Sequence, residues 1–201
     1  MATKSVKVFI ALIAVFLPFL LASSALVRER EAGTFETLII IARRNWARVA
    51  AAKLLMPVVI AMLTTVLLLV AARTAFGFGI KPGLVAAFGV QLIAAATSAI
   101  LGLAISTLLK SSQDAYTMAS AYLIASILLT GMVYPVEQAA TAVAAVSYLF
   151  PLTLSGAPLE NWMLKGANAV VAPWRWTALL AQLTGAVVLC AWALQRMRKR
   201  L

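Results

Sequence analysis

Histidine is absent from this chain of 201 residues, and cysteine occurs once, at position 190. Imidazole and thiolate make the common zinc sites and the Cys/His nucleophile pair, so neither chemistry is offered by this composition. A lone cysteine cannot close an intrachain disulfide, and Cys190, set in an apolar run, reads as a small packing residue. Acidic side chains are scarce too, with 6 Asp and Glu against 17 Lys and Arg. No Gly-x-x-x-x-Gly-Lys-Ser/Thr run is present to cradle nucleotide phosphates; Gly77-Phe78-Gly79-Ile80-Lys81 lacks that spacing and reads as an external turn.

Charged residues make up 11% of the sequence and hydrophobic residues 64%, with a mean hydropathy of +1.00. That is too little charge to coat a water-soluble globule, so the chain reads as an integral membrane protein. The net charge of +11 sits in short connections between apolar runs, which is the signature of topology and not of nucleic-acid binding. A spanning helix needs about 20 apolar residues to cross about 30 Å of hydrocarbon. Five runs meet that length, at about 8–27, 54–72, 84–109, 115–136 and 176–194. Pro18 predicts a local kink in the first, and Pro57 a first-turn position in the second. No Asp or Glu lies in the core of these runs, which argues against a carrier driven by a buried carboxylate.

Residues 138–159 are also uncharged, yet hold Thr141, Ser147, Pro151, Thr153, Ser155, Gly156 and Pro158. Charge decides their status. With five spans, Arg28, Arg30, Arg43, Arg44, Arg48, Lys53, Lys110 and the tail Arg196, Arg198, Lys199, Arg200 share one side, leaving Lys4, Lys7, Arg73, Lys81, Lys165 and Arg175 on the other. A sixth crossing would nearly equalise the two sides. The positive-inside rule therefore favours five spans, an external N-terminus and a cytoplasmic C-terminus. Tyr134, Tyr148, Trp162, Trp174 and Trp176 then gather at the outer interface, where amphipathic rings settle. Residues 138–159 become an external re-entrant or surface-lying helical hairpin, packed on protein wherever it dips into the membrane. The basic start, Met1 to Lys7, opposes this orientation. No cleavable signal is evident, since the first run is followed by charge and not by a small-residue cleavage site.

Between the first two runs lies a segment, 28–45, rich in charge. Arg28 to Glu31 extend the first helix by a polar turn, Gly33 can take the left-handed conformation that ends it, and Thr34 can cap the next helix. That short helix is predicted over 35–42, with Glu36 in its first turn and Arg43 and Arg44 at its end, as the helix dipole favours. Asn45 caps the long helix that enters the membrane through Lys53. Phe35, Leu38 and Ile39 on a charged segment fit two readings: a helix covered by a partner protein, or one lying on lipid headgroups. Farther on, Asp114 reads as a helix cap. Gly102 and Ser106, four residues apart, read as a close helix contact. Polar residues inside the spans, such as Ser23, Ser24, Gln91, Ser98 and Gln182, are suited to a substrate path but commonly bond to backbone or across helices.

The run Arg28-Glu29-Arg30-Glu31-Ala32-Gly33-Thr34-Phe35-Glu36-Thr37-Leu38, followed by a new span at Ala52-Lys53-Leu54, resembles the membrane-permease family of type-2 ABC exporters. Gly102-Leu103-Ala104-Ile105-Ser106-Thr107-Leu108-Leu109-Lys110-Ser111-Ser112-Gln113-Asp114-Ala115 is similar to the family's inner span end and loop. Tyr134-Pro135-Val136-Glu137, Phe150-Pro151-Leu152-Thr153 and Met163-Leu164-Lys165-Gly166-Ala167 resemble its outer re-entrant region. Each motif alone is weak; their order and spacing over nearly the whole chain are specific. Members usually have six spans, and the resemblance implies that residue 1 falls at what corresponds to the second, so that the family's first span and any external domain after it would be lacking from these 201 residues.

The resemblance implies an all-α polytopic permease, residues 1–201 forming a single transmembrane domain in the plasma membrane of a prokaryote. It implies an efflux role without enzymatic activity of its own. No cofactor would be bound directly; ATP would be hydrolysed by a separate ABC ATPase subunit. Two permease subunits, identical or not, would form the pathway within the membrane lipids, and no nucleic acid is involved. Arg28, Glu29, Arg30, Glu31, Gly33, Thr34, Phe35, Glu36 and Leu38 would couple the ATPase to the membrane part. The substrate class implied is a lipophilic drug-like compound, a lipid or a lipid-linked molecule. The alternative is a membrane assembly or regulatory subunit that does not itself transport, or a truncated permease that only associates with full-length partners.

Overall fold

The structure, a computed structural model, describes residues 2–37, 46–76, 84–129, 141–156, 158 and 173–198. Among them every regular element is helical. They are α1 (Ala2–Ser23), α2 (Ala25–Glu31), α3 (Trp46–Phe76), α4 (Leu84–Ser106), α5 (Ser112–Leu129), α6 (Thr141–Ser147) and α7 (Pro173–Arg198).

Among the described residues, four stretches are long and apolar enough to cross a membrane: Phe9–Glu31, Ala47–Ala75, Ala87–Ser106 and Trp174–Met197. The expected crossing at 115–136 corresponds to α5, whose first turn, Ser112-Gln113-Asp114, dilutes its apolar character; its expected continuation past Leu129 lies outside the described residues. The first span is helical through Pro18 and is interrupted only at Ser24. There the hydroxyls of Ser23 and Ser24 donate to the carbonyls of Leu20 (2.9 Å) and Leu21 (3.1 Å), and such back-bonding competes with the helical ladder.

Two expectations about helix ends are corrected. Pro57 is not in a first turn: α3 begins at Trp46, where the cap expected at Asn45 placed its start, and Arg48 and Lys53 lie on helical turns that precede the apolar stretch. Its 31 residues extend about 46 Å, well beyond a hydrocarbon thickness of about 30 Å. The third span stops at Ser106 and not at 109. Thr107 turns its hydroxyl onto the Ala104 carbonyl at 2.8 Å, and the Leu108 amide bonds to Ile105 at 2.8 Å in a tighter turn.

Helices α1 and α4 form the centre. Of the most apolar stretch of the first span, 67% is buried, against 17% in α3 and 22% in α7. Burial along the first span recurs at Ala11, Val15, Phe19 and Ala22 of α1 and at Leu26 of α2, the three- and four-residue spacing of one helix face. That face meets α4 most closely at Gly102, where an added Cβ would lie 2.6 Å from the Phe19 carbonyl oxygen and 3.2 Å from the Ala22 Cβ. One turn on, the Ser106 hydroxyl accepts the Leu26 amide at 3.0 Å, supplying a partner for a first-turn donor that the break at Ser24 leaves without a helical carbonyl.

Residues 141–156 form two short helical pieces joined by a turn at 148–150. Leu152 and Leu154 are buried with Ile10, Val15, Val90 and Leu179, so this segment is packed on α1, α4 and α7. Aromatic rings secure it: Phe150 packs on Tyr122 at 5.6 Å, Tyr122 stacks on Phe19 at 3.9 Å, and Tyr148 meets Trp174 edge-on at 6.0 Å. The remaining parts of the expected hairpin, 138–140, 157 and 159, lie outside the described residues.

Candidate functional site

The charged run at the end of the first span is ended by a glycine lock. Gly33 has φ of 70°, its amide bonds to the Arg30 carbonyl at 3.2 Å, and the Thr34 amide reaches the Glu29 carbonyl at 3.0 Å. This paired pattern satisfies carbonyls that a helix end leaves open, and the left-handed residue it needs is least strained as glycine. Thr34, expected to cap a following helix, turns its hydroxyl back onto the Glu29 carboxylate. Residues 35–37 are helical; Leu38, Ile39, Arg43, Arg44 and Asn45 lie outside the described residues.

Successive side chains on a helix are about 100° apart, so four in a row point all the way round it. Arg28 to Glu31 use that geometry to reach six residues on three helices and the connection after α4. The Arg28 guanidinium donates to the Tyr116 hydroxyl of α5 at 2.8 Å. Glu29 pairs with Lys53 of α3. Arg30 donates to the Leu109 carbonyl at 2.8 Å, to the Thr107 carbonyl at 3.4 Å, and to the Met197 sulfur of α7 at 3.2 Å. Glu31 accepts the Ser112 amide at 2.6 Å and its hydroxyl as well.

The signs of the last two charges match the helix ends they meet. Arg30 binds carbonyls just beyond the C-terminus of α4, and Glu31 binds an amide in the first turn of α5; a cation at the first place and an anion at the second are what the helix dipole favours. The α5 terminus is completed by a capping box. The Asp114 amide donates to the Ser111 hydroxyl and the Ser111 amide to the Asp114 carboxylate, both at 3.1 Å. Ser111 is thus the cap, and Asp114 its reciprocal partner.

Phe35 is half-buried. Its ring lies under the Arg30 guanidinium, 4.9 Å away, and packs against the cluster that holds Leu26, Leu103 and Met197. Arg28, Glu31, Ala32, Gly33, Thr34, Glu36 and Thr37 are exposed, while Glu29 and Arg30 are partly covered. The structure therefore brings Arg28, Glu29, Arg30, Glu31, Thr34 and Phe35 into one bonded cluster and leaves Glu36 facing outward. Lys53, Thr107, Leu109, Ser112, Tyr116 and Met197 join that cluster, and sequence alone did not single them out for it. Ser111 and Asp114 at capping-box spacing were a readable pointer to the α5 terminus; nothing local marks the others.

Polar groups within the spans are used locally. Thr65 bonds to Ala61, Thr97 to Ile93 and Ser120 to Tyr116, each at 2.8–2.9 Å and each one turn back. Gln91 crosses from α4 to the Ala11 carbonyl of α1 at 3.4 Å, and Gln182 reaches the Tyr148 carbonyl.

Residues 4–194 match a family described as ABC-2 family transporter protein. The chain belongs to that family. No curated protein and no solved structure matches it. As an ABC-2 family member, the chain is a multi-pass membrane transport component, not itself catalytic, in a family that generally works with an ATPase subunit.

Proposed function

We propose that this chain is the permease subunit of an ATP-driven exporter, with residues 28–38 coupling a separate ATPase to the membrane helices. The observation that carries the reading is the Arg28–Glu31 cluster: a charged turn, closed by Gly33, that holds the ends of several spanning helices and presents Glu36 and Thr37 outward. The segment from Gly33 to Leu38 is the docking side. The positive-inside count supports five spans, with this turn and the C-terminus cytoplasmic and 138–159 as an external re-entrant hairpin. Two permease subunits form the pathway, and the substrate is a lipophilic or amphipathic compound, a lipid or a lipid-linked molecule.

The test is reconstitution into lipid vesicles of the chain with the ATPase that co-purifies with it. The readouts are ATP-dependent movement of an amphipathic fluorescent dye and, separately, of a fluorescent phospholipid. Glu36→Ala with Leu38→Ala removes contacts on the docking side while sparing Phe35, which the chain's own packing uses. Burial of a large apolar side chain contributes roughly 1.5–3 kcal/mol, so ATPase capture should fall at least about tenfold. Wild-type capture and transport by this double variant would refute the docking role. Failure of any ATPase to co-purify with the parent would favour an assembly or regulatory subunit.

A further inference from the structure

We propose that Arg28, Glu29, Arg30 and Glu31 are positioning residues of an internal transmission hub, and that the ATPase does not bind through them. This rests on the permease reading above and refines it. The four side chains are engaged with Tyr116 of α5, Lys53 of α3, the carbonyls after α4 and Met197 of α7, and Ser112 of α5. A push on the turn at 34–37 is thereby delivered at once to α3, α5, α7 and the connection that follows α4, through bonds that begin within one turn of α2. Phe35 joins the turn to the hub, since it lies beneath Arg30 and against the α1–α4 cluster. The decisive spokes are Arg30 and Glu31. Neighbours in sequence, they grip the opposite dipole ends of α4 and α5, which the short connection at 107–111 joins. Pulling on one therefore moves the other.

The alternating order of charge is the testable part. Exchanging the two residues, Arg30→Glu with Glu31→Arg, preserves composition, net charge and attraction to anionic headgroups, yet places the wrong sign at both helix ends. The first measurement needs no ATPase. A nitroxide is attached at Thr37→Cys in a Cys190→Ala chain reconstituted into phospholipid nanodiscs, and its mobility is recorded with the parent hub, the exchange variant and Glu31→Gln. The exchange variant should raise the mobile population about fivefold, and Glu31→Gln, which keeps an oxygen to accept the Ser112 amide, by less. An unchanged spectrum in both variants overturns the hub.

The second measurement uses the ATPase that co-purifies with the parent. The variants should capture it at the parental level while dye or phospholipid moved per ATP hydrolysed falls at least about tenfold, a loss of about 1.4 kcal/mol in coupling. Capture that falls in step with transport would make these residues an ATPase contact and overturn the proposal. Should no ATPase co-purify even with the parent, the permease reading fails, and the nitroxide result alone decides whether these residues hold the turn. Glu31→Gln keeps both measurements decisive if the exchange variant does not fold.

Discussion

Gly102→Ala adds one methyl group at the closest approach of α1 and α4, and its cost can be worked from distances. The new Cβ would lie 2.6 Å from the Phe19 carbonyl oxygen and 3.1 Å from the Ser23 nitrogen, whereas ordinary contact begins at 3.4 Å. Both obstacles are backbone atoms, which cannot swing aside as a side chain would. The helices must part by roughly 0.8 Å at that level, and overpacking of this kind costs about 1–3 kcal/mol. Against it stands the gain in helix propensity of Ala over Gly, about 0.8–1 kcal/mol. Gly185→Ala in α7 supplies the control, because a Cβ there meets nothing within 4 Å. The difference between the two variants cancels propensity and isolates the strain, so Gly102→Ala should be less stable than Gly185→Ala by about 1–3 kcal/mol. Reversible unfolding in mixed micelles, followed by tryptophan fluorescence, gives that difference. Equal stability would refute the close approach. The same separation should lengthen the Leu26 to Ser106 bond one turn away, 3.0 Å in the parent, and slow hydrogen exchange at Leu26 should be lost with it.

Ser106→Ala, tested in the same unfolding assay, leaves the buried Leu26 amide without its side-chain acceptor and should cost about 1–3 kcal/mol. Tyr122→Leu keeps apolar bulk but removes the ring stacked on Phe19 and touching Phe150; a loss of about 0.5–1.5 kcal/mol is expected beyond any change in buried area. In a Cys190→Ala background, an impermeant thiol reagent applied to intact cells should label Lys81→Cys and Lys165→Cys but not Arg43→Cys or Lys199→Cys. The reverse pattern would invert the orientation drawn from the charge distribution. A cytoplasmic phenotype for a reporter fused after Gly166 would mean that residues 138–159 cross the bilayer.

The sequence was a good guide wherever the cause is local. Gly33 ends α2 in the left-handed conformation because only a residue without a Cβ takes it at little cost, and that was legible from Arg28 to Thr34. The pairing of Gly102 with Ser106 was legible because two small residues four apart share one helix face. Helix ends were less legible. Hydropathy marks where apolar character stops and not where hydrogen bonding stops, so Pro57, near the start of the apolar stretch, falls well inside α3, whose start at Trp46 only the cap expected at Asn45 indicated. Apolar character also carried the expected third span past Ser106, where the backbone has already tightened into a turn.

Composition, apolar run length and the clustering of basic residues by themselves determined a helical membrane protein, since crossing hydrocarbon requires every backbone polar group to be satisfied within the chain. The charged segment after the first span was equally plain, as was its resemblance to a coupling region. Only the tertiary structure decided what those charges do. Arg30 and Glu31 look alike in sequence as exposed members of an alternating run, but one grips the carbonyls after α4 and the other the amide of Ser112, partners 77 to 81 residues away. Nothing near Arg28 to Glu31 in the chain encodes those partners. They are supplied by the packing of α1 against α4, which the absent side chain of Gly102 permits and which carries the end of one helix and the start of the next to the charges that fit them.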